Sequence, residues 1–61
     1  MNQLSEKELS VVNDLLNEEE LLVKKFQMLA SHAQNETVKQ QMLDIANKHQ
    51  GHFNDIDAYI K

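Results

Sequence analysis

The sequence predicts an all-α protein, an antiparallel two-helix hairpin that pairs with a second copy of itself to form a four-helix bundle. Its 61 residues include no proline and one glycine, and helix-forming residues dominate. Two apolar seams with helical spacing are separated by one polar break. A chain this short usually needs disulfides, metal or oligomerisation to be stable, and it has no cysteine. We therefore expect one domain, residues 1–61, that is stabilised by self-association.

The first helix is predicted to span about residues 6–33. Ser5 and Glu8 have the spacing of a capping box, in which each side chain bonds the backbone N–H of the other residue. The seam that follows advances by alternating steps of three and four residues: Leu9, Val12, Leu16, Glu19, Val23, Phe26, Ala30 and Ala33. A second row widens this stripe to the breadth of a bundle helix: Leu15, Leu22 and Leu29.

The second helix is predicted to span about residues 36–60, after a turn at 34–36. Asn35 is a favourable N-cap, and Glu36 suits the positive end of a helix. One continuous helix is the competing interpretation, although it would be far longer than an ordinary helix. The seam of the second helix reads Val38, Met42, Ile45, His49, His52, Ile56 and Tyr59, flanked by Ala46, Phe53 and Ile60.

Gly51 falls inside the second predicted helix, where glycine costs up to about 1 kcal/mol relative to alanine. Two explanations are open. The glycine is either an exposed position that the helix tolerates, or its missing side chain lets another group approach the turn that holds His49 and His52.

Composition and charge exclude several function classes. The formal net charge is −4 and no basic stripe is present, so we expect no nucleic-acid partner. No apolar run is longer than three residues, as in Leu21-Leu22-Val23, so we expect no membrane span. Residues 1–8 lack a cationic stretch followed by an apolar one, so we expect no secretion signal.

Three polar residues interrupt the apolar seams: Glu19, His49 and His52. If Ala33 faces Val38 across the turn of an antiparallel hairpin, Glu19 stands level with His52 and one turn from His49. The sequence therefore predicts that all three side chains meet in one layer of the bundle. Such groups are costly to bury unless they satisfy one another or bind something.

Carboxylate and imidazole are ligands of borderline divalent metals, and His-x-x-His places both rings on one side of a helix. We therefore name Glu19, His49 and His52 as candidate ligands for Fe, Mn or Zn. A hydrogen-bonded polar layer that fixes the pairing of the helices is an open alternative, as is a layer wetted by solvent. His32 is expected on the outer side of the first helix, as an ordinary exposed histidine.

Parts of both helices resemble the spore coat protein F family and its ferritin-like relatives. In the first helix the likeness covers Leu15 to Glu20, Lys24 to Phe26, and the small residues Ala30 and Ala33. In the second it covers Asn35, Val38-Lys39 and the segment from His49 to His52. The resemblance extends over about residues 9–60 and rests on short helical motifs.

The resemblance implies a ferritin-like four-helix bundle, a structural or interaction role in a spore coat, and partners among other coat proteins. The expected location is the cytoplasm or the spore coat. Ferritin-like metal sites combine a glutamate with Glu-x-x-His, which Glu19 and His52 match. The alternative function is that of a ferritin-like metal-binding or di-iron redox protein. His49 stands where that motif has glutamate, and this departure disfavours a di-iron enzyme. No catalytic residues are assigned.

Overall fold

The computed structural model describes residues 4–61 and consists, over that range, of two α-helices. Helix α1 is Glu6–His32 and helix α2 is Glu36–Ala58. They pack against each other as an antiparallel hairpin, which confirms the predicted all-α hairpin and excludes one continuous helix. Residues 1–3, which the predicted domain and the search for a secretion signal both include, lie outside the described residues.

Both helices begin at the predicted caps. The Glu8 amide donates to the Ser5 hydroxyl oxygen at 3.1 Å, and the Ser5 amide donates to the Glu8 carboxylate at 3.0 Å. At the second helix the Val38 amide donates to Oδ1 of Asn35 at 3.1 Å. These bonds satisfy backbone N–H groups that the first turn of a helix leaves without a partner.

The turn between the helices has extended backbone at Ala33 and Asn35. No non-glycine residue between 4 and 61 has a positive φ, so the turn needs no left-handed residue. Helix α2 ends at Ala58, two residues before the predicted end, because the amides of Tyr59 and Ile60 bond to Ile56 and Asp57 three residues back and tighten the last turn.

The seam of α1 packs against α2 as the sequence predicts. Leu16, Val23 and Ala30 are buried. Their seam neighbours are mostly covered, except Leu9, which is 40% exposed. The first helix therefore turns the expected stripe toward its partner.

The seam of α2 differs from the predicted one by a partial rotation of the helix. Ala46, expected only as a flanking residue, is buried with 2% exposure. Val38, His52 and Tyr59, expected on the seam, are exposed. The observed contact stripe has Ala46 at its centre and takes in these residues: Met42, Ala46, His49, Phe53, Ile56 and Ile60. The prediction failed because α2 carries two adjacent apolar rows, and the larger residues of the outer row dominate the pattern.

The two broad faces of the hairpin differ in polarity. One, which we call the apolar face, combines rows of residues seven apart on each helix: Leu15, Leu22 and Leu29 of α1, and Val38, Ile45, His52 and Tyr59 of α2. The opposite one, the polar face, has a groove lined by Glu20, Lys24, Gln27 and Gln50 beside Val23 and Phe53. The hairpin is therefore amphipathic across its thickness.

The hairpin is long and thin, with extents of 46 × 15 × 10 Å between Cα atoms. Its radius of gyration is 14.3 Å, whereas a compact domain of this length has about 10–11 Å. Two helices in a single layer bury the apolar side chains between them but leave those on the broad faces exposed to solvent. Neither helix between residues 4 and 61 has the run of apolar residues that a membrane crossing requires.

Gly51 lies in open space. A Cβ atom built on it meets nothing within 4 Å, and its φ is not positive. The structure therefore favours the first explanation, an exposed glycine that the helix tolerates.

Candidate metal centre

Glu19 projects from the middle of α1 toward α2, at a seam position between Leu16 and Val23. Its carboxylate Oε1 lies 2.6 Å from Nδ1 of His49. An ionised carboxylate oxygen only accepts, so with Glu19 ionised this contact is a hydrogen bond in the tautomer of His49 that donates from Nδ1. The Glu19 and His49 side chains are 18% and 22% exposed, so this contact lies mostly under cover.

His52 approaches the same carboxylate from the apolar face. Its Nδ1 lies 3.4 Å from the other carboxylate oxygen of Glu19, Oε2. The His52 side chain is 58% exposed, which makes it the open side of the cluster. The predicted meeting of the three residues is confirmed, but His52 forms the edge of the layer rather than its buried centre.

The ring of Phe26 holds the imidazole of His49 in place. The two ring centroids are 5.7 Å apart with an angle of 14° between the planes, which is a stacked pair. The His49 and His52 rings meet edge to face, with centroids 5.5 Å apart and an angle of 85°. The sequence pattern assigns Phe26 only to the seam, although its place one heptad after Glu19 puts it next to the polar layer.

The cluster satisfies its own hydrogen-bonding groups. In the described part of the chain, no buried side-chain nitrogen or oxygen lacks a hydrogen-bond partner. Each carboxylate oxygen of Glu19 faces a different imidazole: Oε1 shares a hydrogen bond with His49, and Oε2 lies 3.4 Å from Nδ1 of His52, an ion-pair distance. This arrangement is what a polar layer that fixes the pairing of the helices requires.

The donor set also fits a divalent cation. One ligand atom from each of Glu19, His49 and His52 can be chosen so that all three lie within 4.8 Å of one another. Ligands of a tetrahedral Zn²⁺ at ordinary bond lengths stand about 3.4 Å apart. The widest separation would have to shorten by about 1.4 Å, which the exposed His52 ring can supply by turning. Two imidazoles and one carboxylate fill three positions and leave a fourth open.

Other charged residues near the cluster take no part in it. Glu20 lies on the polar face, where its carboxylate is 3.9 Å from Nζ of Lys24 and both side chains are exposed. Glu18 and His32 are exposed, as expected for His32. The candidate centre therefore consists of Glu19, His49 and His52.

No protein-family model, curated protein or solved structure matches this chain. The likeness to spore coat protein F thus depends on the short motifs quoted above, and the geometry of the hairpin and its cluster carries the functional argument.

Proposed function

We propose that the protein is a structural or interaction protein that acts as a homodimeric four-helix bundle, formed when two hairpins join through their apolar faces. The observation that carries this proposal is the apolar face itself. Leu15 is 42% exposed, Leu29 54% and Tyr59 64% in the single hairpin. A row of such residues on one side of a thin helical pair is typical of a surface that another protein covers.

The size of the apolar face supports a second copy as its occupant. The broad side of the hairpin measures 46 by 15 Å, about 700 Å² in projection. A specific interface buries about 600–1,000 Å² on each partner, so a flat contact over the whole broad side falls within this range. Two helices per copy then give the four helices of an ordinary bundle.

Sedimentation of the purified chain at micromolar concentration tests this proposal. We expect a dimer of high helix content. Replacing Leu15 and Leu29 by serine should produce monomers, because both side chains contribute to the proposed interface. Replacing the equally exposed Leu21 and Met28, which lie outside the apolar face, should leave the dimer intact. A wild-type chain that sediments as a folded monomer would contradict the proposal.

A role as a coat component of ferritin-like ancestry is the biological setting of this proposal. It is supported by the residues that resemble spore coat protein F, and other coat proteins are the corresponding partners. Imaging of a tagged chain in a sporulating host tests the setting, with enrichment at the spore surface as the expected result. Uniform fluorescence of the mother cell would argue against it.

Cation binding is the second candidate function, and the convergence of His49 and His52 on one carboxylate favours it. A cation that binds only the folded state raises the melting temperature. We expect such a rise with Zn²⁺, Fe²⁺ or Mn²⁺, and we expect it to disappear in His49→Ala and His52→Ala. His32→Ala is the matched control, because His32 is exposed and outside the cluster.

A di-iron redox enzyme is less well supported. The described cluster contains one carboxylate for each chain, whereas ferritin-like di-iron sites use several carboxylates. Two copies would together bring two glutamates and four histidines. That set is rich in nitrogen ligands, and it suits a bound structural cation better than paired irons that change oxidation state.

A further inference from the structure

The apolar face is symmetric about the height of the candidate metal centre. On α1 the leucine row has Leu22 at its middle, with Leu15 and Leu29 seven residues to either side. On α2 the row around His52 has Ile45 and Tyr59 at the same distances. Leu22 and His52 belong to the same layer of the hairpin, because Glu19 contacts His52 and Phe26 stacks on His49.

Charged residues border the apolar face on both helices, with residues of like charge at similar heights on α1 and α2. Glu18 and Lys25 lie along its edge on α1, and Lys48 and Asp55 along its edge on α2. All four are exposed. The antiparallel register places Glu18 within about one turn of the height of Asp55, and Lys25 within about one turn of the height of Lys48. Each hairpin therefore has an acidic level and a basic level, one on either side of the Leu22–His52 layer.

A symmetric dimer that joins two apolar faces has its twofold axis in the plane between them. If the axis runs along the helices, the α1 helix of one copy covers the α2 helix of the other at equal height. Glu18 then faces the acidic level of the second copy and Lys25 faces its basic level. Both contacts bring like charges together.

If the axis instead runs across the helices, each helix covers its own counterpart in reverse direction. With the axis at the height of Leu22, Glu18 of one copy meets Lys25 of the other, and Asp55 meets Lys48. The same operation packs Leu15 against Leu29 and Ile45 against Tyr59. The apolar rows and the charged edges thus agree on one position of the axis.

From this agreement we infer that the second copy docks with its turn at the opposite end, and that the two His52 side chains meet at the twofold axis in one shared cation site. The inference rests on the proposed function, since it specifies how the dimer and the centre fit together. Docking covers the exposed side of each cluster with the equivalent side of the other. The shared site contains two Glu19 carboxylates and the imidazoles of both copies.

The sharing of the site has a thermodynamic consequence. A cation that takes ligands from both copies binds the dimer more tightly than the monomer. By reciprocity, the cation must strengthen dimerisation by the same factor. Cation binding and self-association are therefore one linked equilibrium.

Disulfide cross-linking tests the orientation, because the chain has no cysteine of its own. Leu22→Cys alone should form a cross-linked dimer on oxidation, and a mixture of Leu15→Cys and Leu29→Cys chains should form mixed dimers. In the other orientation Leu22 lies diagonally across the bundle from its counterpart, too far for a disulfide, and a mixture of Leu29→Cys and Ile45→Cys chains cross-links instead. Leu21→Cys, outside the apolar face, is the negative control.

The shared site is tested by the dimer dissociation constant, measured by sedimentation with Zn²⁺ and with a chelator. We expect Zn²⁺ to lower the constant at least tenfold in the wild type and in His32→Ala, and to have no effect in His52→Ala. If Zn²⁺ raises the melting temperature but leaves the constant unchanged, the shared site is wrong and the cation site stands. Cross-linking of the Leu29→Cys and Ile45→Cys mixture overturns the orientation and, with it, the meeting of the two His52 side chains at the axis. A monomer under both conditions overturns this inference and the proposed dimer together.

Discussion

The carboxylate of Glu19 lies 2.6 Å from Nδ1 of His49, and this contact joins the middle of α1 to a point just past the middle of α2. It is a polar bond within an otherwise apolar contact stripe. Removing either residue leaves the polar group of the other without a hydrogen bond in a largely buried environment. That loss costs about 1–3 kcal/mol.

We expect Glu19→Ala to lower the free energy of unfolding by about 1–3 kcal/mol. Glu20→Ala is the matched control, because Glu20 is exposed and pairs only with Lys24 across 3.9 Å, and exposed ion pairs contribute about 0–1 kcal/mol. Urea unfolding followed by circular dichroism, at one fixed protein concentration, measures both variants. Equal effects of the two substitutions would show that the Glu19 contact adds no stability.

Gly51→Ala should stabilise the protein. The position is helical and a Cβ atom there meets nothing within 4 Å, so the gain is the difference in helix propensity, up to about 1 kcal/mol. A higher melting temperature with an unchanged helix signal is the expected result. A lower melting temperature would indicate that the open space beside Gly51 is filled in the assembled protein.

Enlarging Ala46 should destabilise the hairpin. This residue is 2% exposed at the centre of the α2 stripe, and Ala46→Leu forces additional carbon atoms into the contact between the helices. Overpacking of this kind costs about 1–3 kcal/mol. Ala58→Leu is the control, because Ala58 also belongs to α2 and is exposed. Thermal unfolding of the two variants distinguishes them, and similar melting temperatures would contradict the observed position of the seam.

The capping box makes part of the stability depend on pH. The backbone and hydroxyl of Ser5 hold the pKa of the Glu8 carboxyl below its ordinary value of 4.5. A carboxyl whose pKa is lower in the folded state contributes stability above its unfolded pKa and loses that contribution as the pH falls through the folded pKa. Glu8→Gln should therefore cost stability at pH 7, and the cost should shrink toward pH 3. Equal costs at both values, from denaturant unfolding, would be inconsistent with the shift.

The sequence was sufficient to predict the two helices, both N-caps and the meeting of Glu19 with His49 and His52. Local hydrogen bonds determine the caps, and the antiparallel register follows from the short turn. The rotation of α2 could not be predicted, because its apolar stripe has two functions. One row packs against α1 around the small residue Ala46, and a neighbouring row forms the apolar face. Periodicity records the combined width of both rows and does not separate them.

The exposure of His52 could not be predicted for the same reason. Its spacing places it beside His49, but spacing alone does not tell a seam position from the edge of the next face. The exposed fraction of its side chain, 58%, resolves the question. The sequence did contain one signal: His52 belongs to the same row of residues seven apart as Val38, Ile45 and Tyr59, and this row forms the apolar face.

In the proposed dimer, the polar groove beside Gln27 and Gln50 would limit how far self-association proceeds. Joining two hairpins through their apolar faces leaves a groove of this kind on each outer side of the pair. Neither outer side of the proposed dimer offers a surface on which a third hairpin could add in the same way, so this contact would stop at two copies and would not produce a fibre. Any larger assembly would have to form through contacts between the ends of the hairpins and the charged edges of complete dimers.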